Sequence, residues 1–296
     1  MKLLNFYNAE GVRAMGLVED NLVFDLSKGA NGDPDFSTVG KWLAAGDAAR
    51  ERMKSLREQV VADPATAMAL SSLKHAPMVE RDAQIFCVGL NYADHAAENN
   101  VSPPTSPIFF SKLPTVVVTH GAEVPIPAIT DMVDYEAEVA VVIGRRADRV
   151  TEAEAGACIA GYSIMNDVSA RDLQRLDKQW FRGKNCNGFG PLGPWLVTAD
   201  DIADAADMEV MLRVNGEERQ HSNTKNLVFG PAALISILSQ TLVLEPGDVI
   251  STGTPAGIGS CRKPPVYLRA GDRVEIEVAG IGILENTMVA EKPKTK

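Results

Sequence analysis

Residues 133–143 constrain the fold more than any other stretch. They read Val-Asp-Tyr-Glu-Ala-Glu-Val-Ala-Val-Val-Ile. Side chains of a strand alternate faces, so Tyr135, Ala137, Val139 and Val141 share one face and Glu136, Glu138, Ala140 and Val142 the other. Both faces turn apolar after Glu138, so the strand must run into a core covered on both sides. Two carboxylates sit at its mouth, where burial begins. Like charges so placed repel unless a cation lies between them. A third acid, Asp167, ends another apolar run, Ile159-Ala-Gly-Tyr-Ser-Ile-Met. We read Glu136, Glu138 and Asp167 as ligands of one hard divalent cation. Glu-x-Glu is also common at ordinary solvated strand ends, and spacing alone leaves both readings open.

A chain of 296 residues, 45% of them hydrophobic, can bury one large core, with or without a smaller domain beside it. The formal net charge of −10 argues against nucleic acid or an anionic membrane as partner. Cys87, Cys158, Cys186 and Cys261 are widely spread, with no Cys-x-x-Cys pair. They read as free thiols of a cytoplasmic protein. The N-terminus turns polar too early for a signal peptide. No apolar run approaches the length of a membrane span.

In chain order, residues 3–7 and 12–18 form a hairpin around Asn8-Ala-Glu-Gly11, and Leu22–Asp25 a third strand. Residues 37–60 carry helical spacing broken at Gly46-Asp, and Asp63-Pro stops the helix. Residues 1–76 thus read as a small α+β domain with a structural role, and 77–296 as the catalytic domain. An apolar strand over 84–92 runs into an Ala-rich helix capped by Asp94. There His95 and Glu98 share a face. A carboxylate beside an imidazole suits a general base, although spacing alone favours a plain surface pair. Lys112 ends the strand Pro107-Ile-Phe-Phe-Ser-Lys. Arg171 and Gln174 lie three apart after Asp167. Residues 180–197 hold four Gly and two Pro and read as a long ordered loop. Within it Lys184 is either an oxyanion or carboxylate binder or a solvated lysine. Trp180, Phe181 and Trp195 read as packing. Asn215-Gly216 marks a hairpin and Pro231 opens a helix. Thr252-Gly-Thr-Pro-Ala-Gly-Ile-Gly is a glycine-rich loop able to bring backbone N–H groups and Thr254 to a small anion. The polar tail, 291–296, is expected to fray. The fold class is α+β, predominantly β.

Six ordered motifs are similar to those of the fumarylacetoacetate hydrolase family: Gly89-Leu-Asn-Tyr-Ala-Asp-His, Asp134-Tyr-Glu-Ala-Glu-Val, Gly161-Tyr-Ser-Ile-Met-Asn-Asp-Val-Ser-Ala-Arg-Asp-Leu-Gln, Gly183-Lys, Gly190-Pro-Leu-Gly-Pro-Trp-Leu-Val-Thr and Pro246-Gly-Asp-Val-Ile-Ser-Thr-Gly-Thr-Pro-Ala-Gly. The resemblance spans about residues 80–291. It implies a mixed β-sandwich roll, Mg²⁺ or Mn²⁺ on Glu136, Glu138 and Asp167, a water-activating pair in His95 and Glu98, and a substrate-facing Lys184. It implies a homodimer and a small anionic substrate of the 2-oxo or 2,4-diketo acid class, cleaved at a C–C bond to release pyruvate. On that reading Arg171, Gln174, Thr254 and Lys112 bind substrate. Oxaloacetate decarboxylation and isomerase or lyase chemistry are the alternatives. Two departures stand out. The loop often reads Gly-Lys-Ser-x-Asp in relatives but is Gly183-Lys-Asn-Cys-Asn here. Some relatives also carry an extra carboxylate ligand where this chain has Val88.

Overall fold

The computed structural model describes residues 1–292. The end of the polar tail, 293–296, lies outside the described residues. The architecture is α+β and mostly strands. A twelve-stranded mixed sheet runs in the order Ala67–Ala69, Leu22–Asp25, Arg13–Glu19, Lys2–Tyr7, Gly190–Thr198, Ile159–Asn166, Ala137–Ile143, Val249–Ser251, Ile85–Gly89 and Ile108–Lys112. Two short strands, Lys74–Ala76 and Val117–Val118, pair with it off this path. A five-stranded sheet packs against it, ordered Glu217–Asn223, Glu209–Val214, Arg273–Val278, Gly282–Ala290 and Glu123–Ile126. The N-terminal hairpin is hydrogen-bonded into the large sheet, since Lys2 and Leu3 pair with Val197 and Leu196.

Every residue of the strand Ala137–Ile143 is buried. Val139, Val141 and Ile143 join one apolar cluster with Val210, Leu212, Ile276 and Leu284 of the smaller sheet. Ala140 and Val142 join a second cluster with Leu3, Leu17, Met53 and Leu56 on the opposite side. Burial on both faces is what the continuous Val/Ile run calls for. Its neighbours on the two sides are Ile159–Asn166 and Val249–Ser251. Both pair antiparallel with it, so the segment entering Ala137–Ile143 and the loops leaving the two neighbours meet at one end.

Local expectations hold in several places. The hairpin turn has Asn215 at φ +54 and Gly216 at φ +80, the left-handed pair a type I′ turn requires. Pro231 occupies the first turn of the helix Pro231–Ser239. The helical stretch divides into Val39–Ala44 and Gly46–Ala62. The loop expected over 180–197 needs correction. It contains a short helix, Phe181–Lys184, and a nine-residue strand, Gly190–Thr198, in the middle of the large sheet. Pro194 is tolerated because the ladder to Ile159–Asn166 is interrupted between Tyr162 and Ile164, opposite it. Ser163 fills the gap by donating to the carbonyls of Gly193 and Trp195. The cap of the helix Ala93–Glu98 is also corrected. Tyr92 is its N-cap, and Asp94 lies within the first turn.

Candidate active site

The strand-end carboxylates converge. Glu136, Glu138 and Asp167 are buried, and each offers an oxygen within 4.8 Å of the others'. Two hydrogen bonds donated by backbone amides stitch their segments together. The Glu136 amide donates to Asn166 Oδ1 at 3.0 Å, and the Asp167 amide donates to the Glu136 carbonyl at 3.0 Å. Glu136 precedes the regular strand, so its side chain is aimed by these bonds rather than by the pleat.

Three cations surround the group. Lys184 Nζ lies 2.8 Å from Glu136 and 2.7 Å from Asp167. Arg171 spans Asp134 at 2.8 Å and Glu136 at 2.6 Å, and its third nitrogen reaches Gln174 Oε1 at 3.1 Å. Lys112 Nζ lies 2.7 Å from Asp167 and donates to the carbonyls of Val168, Lys184 and Phe189. Burial alone would raise the Glu136 carboxyl, but Lys184 and Arg171 overcome it and hold it at about 2. Lys184 stays raised despite its burial, because Asp167 and Glu136 favour its charged form.

Glu138 is the exception. It accepts from Ser251 Oγ at 2.6 Å and the Gly253 amide at 3.0 Å, with no cation as partner. Burial, then the charges of Asp167 and Glu136, push its carboxyl well above the usual range. Four buried carboxylates (Asp134, Glu136, Glu138, Asp167) thus face three cations (Lys112, Arg171, Lys184). A divalent cation on three buried carboxylate oxygens would relieve this excess of negative charge. The donor set, oxygen throughout, suits Mg²⁺ or Mn²⁺.

A cavity of about 230 Å³ opens onto this cluster. Its wall includes Glu136, Glu138, Arg171, Gln174, Lys184, Thr254 and His95. His95 is buried, with Nδ1 3.1 Å from Glu98 Oε2, so the pair is not a solvated surface contact. Burial would raise Glu98, but the bonds from His95 and the Gly257 amide hold its carboxyl below the usual value. An ionised Glu98 is an acceptor for an Nδ1–H of His95, which orients the ring. Lys184 is likewise buried and belongs to the carboxylate cluster, which excludes the solvated alternative.

The remaining expected residues divide. Arg171, Gln174 and Thr254 line the cavity, and Thr254 Oγ1 accepts from Gln220 Nε2 at 2.8 Å. Lys112 does not line it. The residue is 1% exposed and its ammonium is fully occupied by protein acceptors, so the structure places it behind the site. Trp180, read as packing, does both jobs. It meets the Phe110 ring edge-on at 5.2 Å and lines the cavity. The glycine-rich loop turns its N–H groups onto the site's own carboxylates, Gly253 to Glu138 and Gly257 to Glu98. Gly253 needs its φ of +96, and a Cβ there would meet the Val88 carbonyl at 2.8 Å.

Sequence reasoning missed Asp134, Asn91 and Gln220. Asp134 is fully buried and gathers Arg171, Gly259 N and Ser260 N. Asn91 ties the glycine-rich loop down by donating to Thr252 O at 2.7 Å. Both are polar residues next to apolar runs, within the motifs Gly89–His95 and Asp134–Val139, and that was the available signal. Gln220 reaches a loop 34 residues away and left no local trace.

The family profile described as Fumarylacetoacetate (FAA) hydrolase C-terminal matches residues 84–289. The chain belongs to this family. A human mitochondrial oxaloacetate tautomerase is 41% identical over 254 residues, 85% of this chain and 80% of the relative. The solved structure of a fumarylacetoacetate hydrolase from Exiguobacterium antarcticum superposes with a TM-score of 0.85 at 34% identity, covering 98% of this chain and all of the other. A maleylpyruvate hydrolase from Sphingobium, solved with manganese(II) and pyruvate, gives a TM-score of 0.81 at 25% identity, covering 99% of this chain and all of the other. The protein is accordingly an enzyme of a family that acts at carbon–carbon bonds. Among the described residues no helix is long and apolar enough to cross a membrane.

Proposed function

We propose that the protein interconverts the keto and enol forms of a small 2-oxo acid of the oxaloacetate class, with Mg²⁺ or Mn²⁺ as cofactor. The observation that carries this reading is that a carboxylate cluster short of one positive charge and the His95–Glu98 pair open on the same small cavity. The named activity of the 41%-identical human relative supports it. Glu136, Glu138 and Asp167 would hold the metal. When bound, it would supply a Lewis acid for the 2-oxo-carboxylate end of the substrate.

The chain's own residues do the rest. His95 Nε2 takes a proton from the carbon beside the ketone and delivers it to the enolate oxygen, the reverse transfer restoring the ketone, while Glu98 stabilises the imidazolium formed between the two transfers. Lys184 and Arg171 hold positive charge beside the oxygen that becomes anionic as the enolate forms. Trp180 and Phe110 wall off that side of the cavity from water.

A second reading rests on the same dyad. His95 can deprotonate water as well as carbon, and attack of that hydroxide on the distal carbonyl of a 2,4-diketo acid would cleave the C–C bond and release pyruvate. The named activity of the Sphingobium relative accords with it. One experiment separates the two. Enol absorbance is followed for oxaloacetate and for a panel of acylpyruvates, with Mg²⁺ and with chelator, alongside a pyruvate assay. Metal-dependent ketonisation of oxaloacetate without pyruvate supports the tautomerase. Stoichiometric pyruvate from an acylpyruvate supports the hydrolase and overturns the first reading. Pyruvate from oxaloacetate alone identifies a decarboxylase.

A further inference from the structure

The cations on the cavity wall are unequally committed. Lys184 is bound between Glu136 and Asp167. Arg171 is bound to Asp134, Glu136 and Gln174. A third wall cation, Arg175, has no such partner. Among the described residues its hydrogen-bond contact is Met132 Sδ, at 4.0 Å, and it forms no ion pair. The acids nearest it in sequence are taken elsewhere. Asp172 accepts from Thr130 Oγ1 at 2.6 Å, and Asp177 forms a two-point pair with Arg182 at 2.6 Å.

The helix Arg171–Asp177 explains the placement. Positions 171, 174 and 175 are three and four residues apart, so they share one face, and all three line the cavity. Arg171, buried, touches the carboxylate cluster. Arg175, exposed, stands one turn farther on at the cavity's mouth. Residues so spaced have Cβ atoms about 5–6 Å apart, which is the scale of a short diacid. A substrate with its 2-oxo-carboxylate end at Glu136, Glu138 and Asp167 therefore directs its far end toward an uncommitted guanidinium.

We propose that Arg175 is a specificity-determining residue that binds the distal carboxylate of a short 2-oxo dicarboxylate and selects it over the monocarboxylate of equal length. This rests on the enolising function proposed above. A carboxylate is the group a free guanidinium fork recognises best, through two parallel N–H···O bonds. An apolar substrate tail would leave that fork unpaired and gain nothing from it.

The test compares the wild-type protein, Arg175→Gln and Arg175→Lys, each loaded with Mg²⁺, on oxaloacetate and on 2-oxobutyrate. Exchange of the C3 protons with deuterium is read by NMR, and the Kd of each acid is read by calorimetry. Removing a hydrogen-bonded charge pair should lower the oxaloacetate to 2-oxobutyrate ratio of kcat/KM by about 10- to 100-fold, mostly through KM. The Kd ratio should follow. Arg175→Lys should recover part of the loss, because a point charge remains without the fork. An unchanged melting temperature in Arg175→Gln is expected of an exposed position and separates binding from folding. If wild-type protein exchanges both acids but Arg175→Gln leaves both ratios unchanged, or lowers the two acids equally, the assignment of Arg175 is overturned while the enolising function stands. If wild-type protein exchanges neither acid, the function itself fails and this inference with it.

Discussion

Replacing Lys112 by Met decides between two roles for that residue. If Lys112 bound substrate, its removal would raise KM and leave the fold alone. The structure assigns Lys112 to the scaffold behind the site, where Nζ serves three carbonyls and Asp167. Methionine matches the length and apolar stem of lysine, so packing is largely kept. What disappears is the polar centre. Each buried carbonyl left unpaired costs about 1–3 kcal/mol where nothing replaces the donor. Breaking a buried ion pair costs about 3–5 kcal/mol. These contributions overlap, because Asp167 keeps Lys184 and the carbonyls can relax toward other donors, so about 3–5 kcal/mol is the expected total. With an unfolding entropy of about 2.1 cal/mol/K per residue, that lowers the melting temperature by roughly 5–8 °C. Differential scanning calorimetry of the metal-free and Mg²⁺-loaded forms reads this directly. Mg²⁺ should stabilise the variant less than the wild type, since Asp167 is no longer held in place. A variant that melts with the wild type, binds Mg²⁺ equally well and shows only a raised KM would refute the scaffold role.

Glu138→Gln removes the surplus negative charge of the buried cluster, so the metal-free protein should melt higher than wild type, while calorimetry shows Mg²⁺ affinity lowered by about 100-fold or more, on the order of 3 kcal/mol; a lower melting temperature in the metal-free form would contradict the charge count. Glu98→Gln leaves His95 without its ionised partner and should cut the exchange rate by about 10²–10⁴-fold with Mg²⁺ affinity intact, read by NMR exchange and calorimetry on the same sample. His75, packed 5.2 Å from His120, is held by burial and then by that neighbour at about 4 against an ordinary 6.5. Its folded-state value is depressed, so the unfolded chain binds the extra proton between these limits. Stability from this group is complete above pH 6.5 and falls away as pH drops toward 4, by about 2 kcal/mol between about pH 7 and 5. Denaturant titrations of wild type and His75→Gln at the two pH values should differ by that amount, and parallel losses would exclude His75 as a source.

The strand Ala137–Ile143 was legible because its two-sided apolar run has few alternatives, and the three carboxylates were legible because acids at the end of such a run need a reason. The Asn215-Gly216 turn and the Pro231 helix start were legible because local sterics decide them. The strand Gly190–Thr198 was not. Its glycines and prolines speak for a loop, and only the interrupted ladder opposite Pro194 makes room for that residue in mid-sheet. Lys112 was misread for a related reason. A lysine at a strand end signals solvent or ligand, and nothing nearby in sequence announces that carbonyls of residues 168, 184 and 189 converge on it. Asp134 and Gln220 escaped notice because their partners are far along the chain.

The buried charges at this site are arranged so that none of the three clustered cations is free to meet a ligand unaided. Lys112 holds Asp167 from behind, Arg171 ties Asp134 to Glu136, and Lys184 closes the gap between Glu136 and Asp167. Burying such a network carries a large desolvation penalty, and replacement by apolar side chains would often stabilise a fold. Its presence at the junction of three central strands is explained by the one carboxylate left without a cation, Glu138. The ion pairs fix two prospective ligand side chains in place, and Glu138 leaves a deficit of the kind a divalent cation would fill. Arg175 then falls outside this set of paired charges, on the same helix face but one turn toward solvent. That asymmetry gives the cavity an inner end suited to a metal and an outer end suited to an anion.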